Sequence, residues 1–354
     1  MIRKDVHLVL PLDHLIYGKY IRYEFLQTLV GIEFAGSSAE HINVFIDLND
    51  VLMPLYTSQI TKDAVEIIAS CILNMVSHYR TYFWTRHRVV TQIVFIYSDI
   101  TSPDILRFCP EYNALYRNRM NNGHVMHDRI LAAMERVALL VPYMPDVYLK
   151  CGNVEPAVMI NYLAKQPQFV DIINVVISGS EYMYALPGQC KNTVVFRNKV
   201  TSNGKTALSY NGFNAINAFI YETRKSVIEE VIYPPLITAI MALSGLPKRM
   251  VNSTKDISST LRLVKQIPVD IIGDPKAMYQ CMMNISSKKK TQLLSYEDWY
   301  NRYMALDLNL QTMMYANTPQ AADASFLTNL DDPESVKYIN GTYFKKYPIN
   351  FEGV

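Results

Sequence analysis

Closely paired cysteines are missing from this sequence. The five cysteines are scattered and form no Cys-x-x-Cys spacing; they are Cys71, Cys109, Cys151, Cys190 and Cys281. Structural zinc sites in proteins use closely spaced cysteine and histidine ligands, so we expect no zinc site. An odd cysteine count without a secretory leader favours reduced, buried thiols.

A long apolar run is missing too. The first residues, MIRKDVHLVLPLDHL, lack the apolar centre of a signal peptide. Residues 232–246 are apolar but contain Pro234 and Pro235. They are also fewer than the about 20 residues that a membrane-spanning helix needs. We therefore expect a cytoplasmic protein that has no membrane partner.

An excess of either charge is absent as well. The chain has 34 Lys and Arg against 32 Asp and Glu, which gives a net charge of +2. No overall field demands a nucleic-acid partner, and any basic surface must be local. The length of 354 residues indicates two domains, or one domain with a large appendage.

What the sequence does contain is the pattern of a parallel α/β sheet. Residues 44–46, 92–97 and 175–177 are apolar runs that predict buried strands. A helical period over residues 62–82 predicts a crossover helix between the first two strands. Further strands are predicted at 147–149 and 193–197, whereas residues 201–212 are rich in turn formers.

The carboxyl ends of these strands carry few acids, although catalytic groups collect there in open α/β sheets. Asp47 ends the first strand, and Ser98 and Asp99 end the second. Around the third strand the candidate acids are Glu155 and Glu181, and both have apolar neighbours. This shortage of acids argues against a carboxylate-rich active site.

A basic and aromatic segment follows the second strand. Arg107, Arg117 and Arg119 are interleaved with tyrosines such as Tyr112. Arginine contacts phosphates and tyrosine stacks on bases, so the segment is a candidate nucleic-acid interface. The alternative is an ordinary solvated loop and helix face.

The remaining segments extend this core at both ends. Helical spacing is found at 13–34, 276–284 and 296–315. The tail combines turn formers with aromatic residues, which fits an arm that packs on the body or on a partner. The predicted division is an N-terminal helical extension (1–40), an α/β core (41–200), a helical region (201–285) and a C-terminal helical and aromatic arm (286–354).

The order of these motifs resembles the 5′-nuclease superfamily, which includes flap endonucleases and bacteriophage 5′-exonucleases. FIDLND and VFIYSD resemble its two acidic strands, and RFCPEYNALYRNR resembles its arginine-rich segment. NVEPAVMINYLAKQ stands where the family has a Glu-Ala-Asp-Asp helix, and VVISGSEYMYAL where a strand ends in Ser-Gly-Asp-x-Asp. ALSGLPKRMVN stands where a helix-hairpin-helix-like DNA clamp begins. The resemblance covers residues 42–265, is closest to phage members, and implies a PIN-like parallel sheet flanked by helices.

The resemblance also assigns site residues. The family hydrolyses phosphodiesters with two divalent ions that a cluster of carboxylates holds. Asp47, Asp99 and Glu155 match one residual Mg²⁺ or Mn²⁺ site, with Ser98 as the alternative to Asp99, which lies one place late. The family's other acids are replaced by Ala157, Val158, Ser180, Tyr182, Leu246 and Arg249. We expect Tyr182 and Tyr184 to fill the vacated pocket.

Lys248 and Arg249 stand in the turn of the clamp-like motif. They offer direct phosphate contacts by charge, and the alternative is a solvated helix start. With most ligands lost, we expect no cofactor unless one Mg²⁺ or Mn²⁺ remains at the residual site.

These observations favour a catalytically degenerate 5′-nuclease-fold protein that acts as a nucleic-acid-binding or scaffold module, with branched or single-stranded DNA as its partner. The alternative is an active, divergent 5′-3′ exonuclease or flap endonuclease. A third hypothesis is a structural subunit of a viral assembly in the host cytoplasm, which would dock on a viral protein through residues 1–35 or 316–354.

Overall fold

The computed structural model describes residues 6–8, 21–23, 41–57, 63–87, 89–98, 103–112, 118, 123–190, 193–201, 204–210, 234–246, 257–288 and 293–327. Within these ranges one sheet of eight strands forms the centre of the fold. The strands are β1 (Val6–Leu8), β2 (Ile21–Tyr23), β3 (His41–Asp47), β4 (Val90–Ser98), β5 (Val147–Gly152), β6 (Ile173–Ile177), β7 (Thr193–Thr201) and β8 (Gly204–Tyr210).

The middle of the sheet is parallel, in the spatial order β7-β6-β3-β4-β5. Beyond β7 the order continues with β8, β2 and β1. There β8 is antiparallel to β7, β2 is parallel to β8, and β1 is antiparallel to β2. The predicted parallel α/β sheet is therefore confirmed.

Helices cover the sheet and extend the chain. They are α1 (Leu48–Leu52), α2 (Ala64–His87), α3 (Pro103–Phe108), α4 (His124–Leu140), α5 (Pro156–Leu163), α6 (Pro167–Val170), α7 (Leu186–Gln189), α8 (Ile237–Ser244), α9 (Ile257–Val264), α10 (Pro275–Lys288), α11 (Tyr296–Leu306), α12 (Leu308–Ala316) and α13 (Pro319–Ala322). Short 3₁₀ turns lie at Met53–Thr57, Val141–Tyr143, Glu181–Ala185, Pro234–Leu236, Val269–Ile271 and Ser325–Leu327. No helix among these described residues is long and apolar enough to cross a membrane.

Both faces of β3, β4 and β6 are buried along most of each strand, which explains why their sequences are continuous apolar runs. Val44 and Ile46 of β3 pack in one core with residues of α2 and α4. Phe45, between them, packs in a second core with residues of α5, α8 and α11. Each fully buried side chain of this size contributes about 1.5–3 kcal/mol to folding. The result is a sheet held between two helical layers.

Two local predictions are wrong. Residues 204–210 form β8 rather than a turn, because they pair along their whole length with β7. Residues 13–34 are not helical throughout, because Ile21–Tyr23 is a strand that pairs with β8. The rest of that segment lies outside the described residues.

Candidate functional site

The carboxyl ends of β6, β3 and β4 lie side by side, and this edge is the candidate site. Ile46 of β3 pairs with Ile177 of β6, so the next residues, Asp47 and Ser178, stand level with each other. Ser98, the last residue of β4, pairs with Gly152 of β5. The parallel register thus gathers Asp47, Ser98 and Ser178 at the ends of three different strands.

Asp47 is at the centre of this edge and is 0% exposed. It is the N-cap of α1, and its Oδ1 accepts a hydrogen bond from the backbone N–H of Asp50 (3.3 Å). Its Oδ2 accepts a second hydrogen bond from the Ser178 hydroxyl (2.7 Å). A buried carboxylate requires such partners, because desolvation without them is costly. Both oxygens of Asp47 are therefore engaged within the protein.

Sequence reasoning missed two further polar residues at this edge. The Oδ2 of Asp50 accepts a hydrogen bond from the backbone N–H of Gly179 (2.6 Å). The Oδ1 of Asn49 accepts one from the backbone N–H of Ser98 (2.7 Å), and its Nδ2 donates to the carbonyl of Ser98. Because an acid that ends a strand is a common N-cap residue, the sequence indicates that Asn49 and Asp50 lie in the first turn of a helix. The sequence carried no signal for partners 129 and 49 residues away.

By the resemblance, α5 corresponds to the Glu-Ala-Asp-Asp helix, which carries metal ligands in the family. Glu155 is its N-cap residue, is followed by Pro156, and is 2% exposed. Ala157 and Val158, at two positions where the family has acids, are 0% and 1% exposed. The start of α5 therefore contributes one carboxylate and an apolar surface.

The turn after β6 brings tyrosines into the protein interior. Tyr182 is 0% exposed and packs edge-on against Tyr112, with 6.3 Å between the ring centroids. Burial raises the pKa of Tyr182 well above its usual value, and the nearby carboxylates of Asp307 and Glu155 raise it further. Tyr184 is also buried, as are Ser180 and Glu181. The expectation that Tyr182 and Tyr184 are packing residues agrees with this burial.

These residues do not fit a two-ion centre. Mg²⁺ takes oxygen ligands in octahedral geometry, yet Ala157, Val158 and Tyr182 leave this edge with few carboxylates. Across the part of the chain that the structure describes, no three His, Cys, Asp or Glu side chains group as metal ligands would. Asp99 lies outside the described residues, so a single-ion site on Asp47, Asp99 and Glu155 stays a prediction.

The nucleic-acid-binding residues predicted from sequence fall into different environments. Arg107 is exposed on α3, with its guanidinium 5.9 Å from the centroid of the Phe108 ring. Tyr112 is 0% exposed, so it cannot stack on a base, and the role predicted for it is corrected to packing. Leu246, which the resemblance gives as a lost ligand position and not as a nucleic-acid contact, is buried as well. Arg117, Arg119, Lys248 and Arg249 lie outside the described residues.

Comparisons with known proteins give likenesses in three dimensions. No protein-family model matches this chain, and no curated protein does. The 5′-exonuclease of bacteriophage T5, solved with zinc, is similar at 12% identity and a TM-score of 0.47, over 86% of this chain and 99% of that one. The catalytic core of Rad2 in complex with DNA is similar at 12% identity and a TM-score of 0.44, over 88% of both chains.

Human GEN1 in complex with Holliday junction DNA is similar at 12% identity and a TM-score of 0.39, over 76% of this chain and 62% of that one. All three are members of the 5′-nuclease superfamily, which is also the family that the sequence motifs resemble. With identities this low and TM-scores below 0.5, neither the activities nor the ligands of those proteins follow for this chain.

Proposed function

We propose that this chain is a 5′-nuclease-fold protein that binds nucleic acid and has lost its hydrolytic centre. The observation that carries the proposal is the burial at the carboxyl ends of the strands. Asp47 is 0% exposed and hydrogen-bonded through both oxygens, and Tyr182 is 0% exposed where the resemblance places an acid. Two-ion hydrolysis needs carboxylates that reach the ions and the substrate phosphate.

A hydrolysis assay tests the catalytic half of the proposal. The substrate is a 5′-flap DNA with Mg²⁺ or Mn²⁺, and the proteins are the wild type, Asp47→Ala and the milder Asp47→Asn. We expect the same background with all three, because no complete ligand set serves the ions. Circular dichroism of each variant controls for folding. Hydrolysis by the wild type that a folded Asp47→Asn variant loses would instead establish an active, divergent 5′-3′ nuclease.

Local basic residues support the binding half. Arg107 is exposed, and the resemblance places Arg117, Arg119, Lys248 and Arg249 in segments that contact DNA in the family. Such contacts release counterions from the phosphate backbone, so the affinity must fall as salt rises. Branched or single-stranded DNA is the expected partner.

Fluorescence anisotropy against a branched DNA at several salt concentrations tests the binding half. Arg117→Ala with Arg119→Ala is expected to lower the slope of log affinity against log salt by about 2, which is about one unit per lost phosphate contact. The matched control is Arg136→Ala with Lys165→Ala, which removes the same charge from two exposed positions on α4 and just after α5. Absence of binding at low salt would overturn this half and favour the structural-subunit alternative.

A further inference from the structure

An open groove lies between α10 and the segment that leads into it. It has a volume of about 420 Å³. Three carboxamides line it (Gln266, Gln280 and Asn284), together with Ile271, Ile285 and Cys281. None of these residues belongs to the candidate site at the carboxyl ends of the strands, so the groove is a separate feature.

The side chains that line the groove indicate the class of ligand that it can bind. Carboxamides offer donors and acceptors side by side, and such side chains pair with the polar edges of nucleic-acid bases. Ile271 and Ile285 offer apolar contact for a flat ring. Among the described residues that line it none is charged, so it suits an uncharged heteroaromatic ring better than an ion.

Basic side chains are exposed on both sides of the groove. Arg262 and Lys265 are exposed just before one wall, and Lys276 is exposed at the start of α10, the other wall. Asp274 is also exposed, but its Oδ1 accepts hydrogen bonds from the backbone N–H groups of Lys276 (3.0 Å) and Ala277 (3.1 Å) and caps α10. Asp270, in the connecting turn, is a second exposed acid.

The same asymmetry holds for the wider sequence. Residues 248–290 contain nine Lys and Arg against three Asp and no Glu, which is a net charge of +6. Because the whole chain carries +2, the remainder carries −4. The stretch of sequence that includes the groove is therefore more basic than the rest of the chain, as a segment that contacts a phosphate backbone would be.

We propose that this groove takes the unpaired bases of a single-stranded nucleic acid whose phosphates lie against Arg262, Lys265 and Lys276. This inference rests on the proposed nucleic-acid-binding function and adds a site and a strandedness to it. Single strands are selected because their bases can turn out of the stack and present their edges, whereas the bases of a duplex are paired.

Anisotropy with an oligothymidylate of about 12 nucleotides, a length within the site sizes of single-strand-binding folds, tests the site. Gln280→Ala with Asn284→Ala is expected to weaken binding about tenfold, which is the usual effect of losing one good base-edge contact. The matched control, Gln168→Ala with Gln320→Ala, removes two exposed amides elsewhere and is expected to bind as the wild type does. A duplex of the same sequence is expected to be indifferent to the groove variant.

Cys281 supplies a second readout, because it lines the groove. Its alkylation rate, followed by mass spectrometry, is expected to fall in proportion to the fraction of protein bound to the oligonucleotide. Ala138→Cys, at an exposed position of α4, is the control thiol and is expected to react at an unchanged rate.

The outcomes separate this inference from the function on which it rests. No binding of any nucleic acid overturns both. Binding of the oligonucleotide without protection of Cys281 and without loss in the groove variant overturns the groove alone. Equal protection of Cys281 and the control thiol also overturns it, because the effect would then not be local.

Discussion

At the scale of the residue, the decisive contact is the one between Ser178 and Asp47. The position of Asp47 at a strand end could be predicted, because the apolar run before it is the pattern of a buried strand. Its partner could not be predicted, because Ser178 lies 131 residues away and only the parallel register of β3 and β6 brings the two together. The solvent exposure of the side chains at this site is likewise set by tertiary packing, which no local sequence pattern encodes.

Removing this hydroxyl leaves a buried carboxylate with one partner fewer. Ser178→Ala is expected to lower the free energy of unfolding by about 1.5–3 kcal/mol, the usual worth of a hydrogen bond to a charged group. Urea unfolding at neutral pH measures it, and Ser258→Ala, at an exposed position of α9, is the control. In Asp47→Asn the effect of Ser178→Ala should shrink; an unchanged midpoint in the single variant would contradict the prediction.

Gly179 is required for a different reason. A Cβ atom at this position would collide with the carboxylate of Asp50. Gly179→Ala is therefore expected to destabilise the fold by about 1–3 kcal/mol, the usual cost of overpacking. Combining it with Asp50→Ala should cost less than the sum of the single variants, as a double-mutant cycle of urea midpoints would detect. Additive effects would show that the collision is not the cause.

At the scale of the element, the C-terminal helices belong to the body. α12 packs on α5, where the amide of Asn161 donates to the Thr312 hydroxyl (2.8 Å) and accepts from the Cys190 thiol (3.1 Å). Tyr162 meets Tyr315 edge-on, with 5.4 Å between the ring centroids. The sequence left open whether the arm packs on the body or on a partner. Its described part, residues 293–327, packs on the body.

The last described part of this arm, residues 319–327, forms a strap over the edge strand β5. Lys150 of β5 is 3% exposed, and its Nζ donates to the carbonyls of Gln320 and Asp323 (2.7 Å each). The same Nζ lies 4.7 Å from the centroid of the Phe326 ring. An edge strand that is covered in this way presents fewer open backbone groups to other chains.

Lys150→Met keeps an unbranched side chain one atom shorter and removes its charge and its donors. The strap is expected to lose about 2 kcal/mol of anchoring, from two hydrogen bonds and one cation–π contact. Hydrogen exchange should then accelerate at the amides of Ala321, Asp323 and Leu327, which close the turns of the strap. Lys165→Met, at an exposed position, is the control. Unchanged exchange in the strap would refute the anchoring role of Lys150.

At the scale of the whole molecule, the parallel centre of the sheet was predictable and its extension was not. The central strands are apolar on both faces, so local composition was enough to find them. β8 carries polar residues such as Lys205, Thr206 and Ser209, so composition indicated turns where pairing with β7 makes a strand. The same limit applies to the groove beside α10, which is formed by segments whose mutual position only the fold defines.

The stability of the protein at high pH depends on buried tyrosines and cysteines throughout the molecule. Burial raises the pKa of Tyr315 to about 12 and those of Tyr182 and Tyr303 above the usual 10.0. It also raises the pKa of Cys71 from 9.0 to about 12. These groups keep their protons in the folded state after the unfolded chain has lost them. Their contribution is therefore complete below pH 9 and declines as the pH rises beyond it.

Burial lowers the pKa of Lys150 below its usual 10.5. The contribution of Lys150 to stability therefore rises as the pH approaches that value, which is opposite to the contributions of the tyrosines and the cysteine. The tyrosines and the cysteine outnumber it, so the urea midpoint is expected to fall between about pH 9 and pH 11.

No described residue hydrogen-bonds the hydroxyl of Tyr182. Tyr182→Phe should therefore be nearly neutral at pH 8 and should flatten the alkaline decline, with Tyr296→Phe, at an exposed position, as the control. An equally steep decline in Tyr182→Phe would contradict the raised pKa of Tyr182.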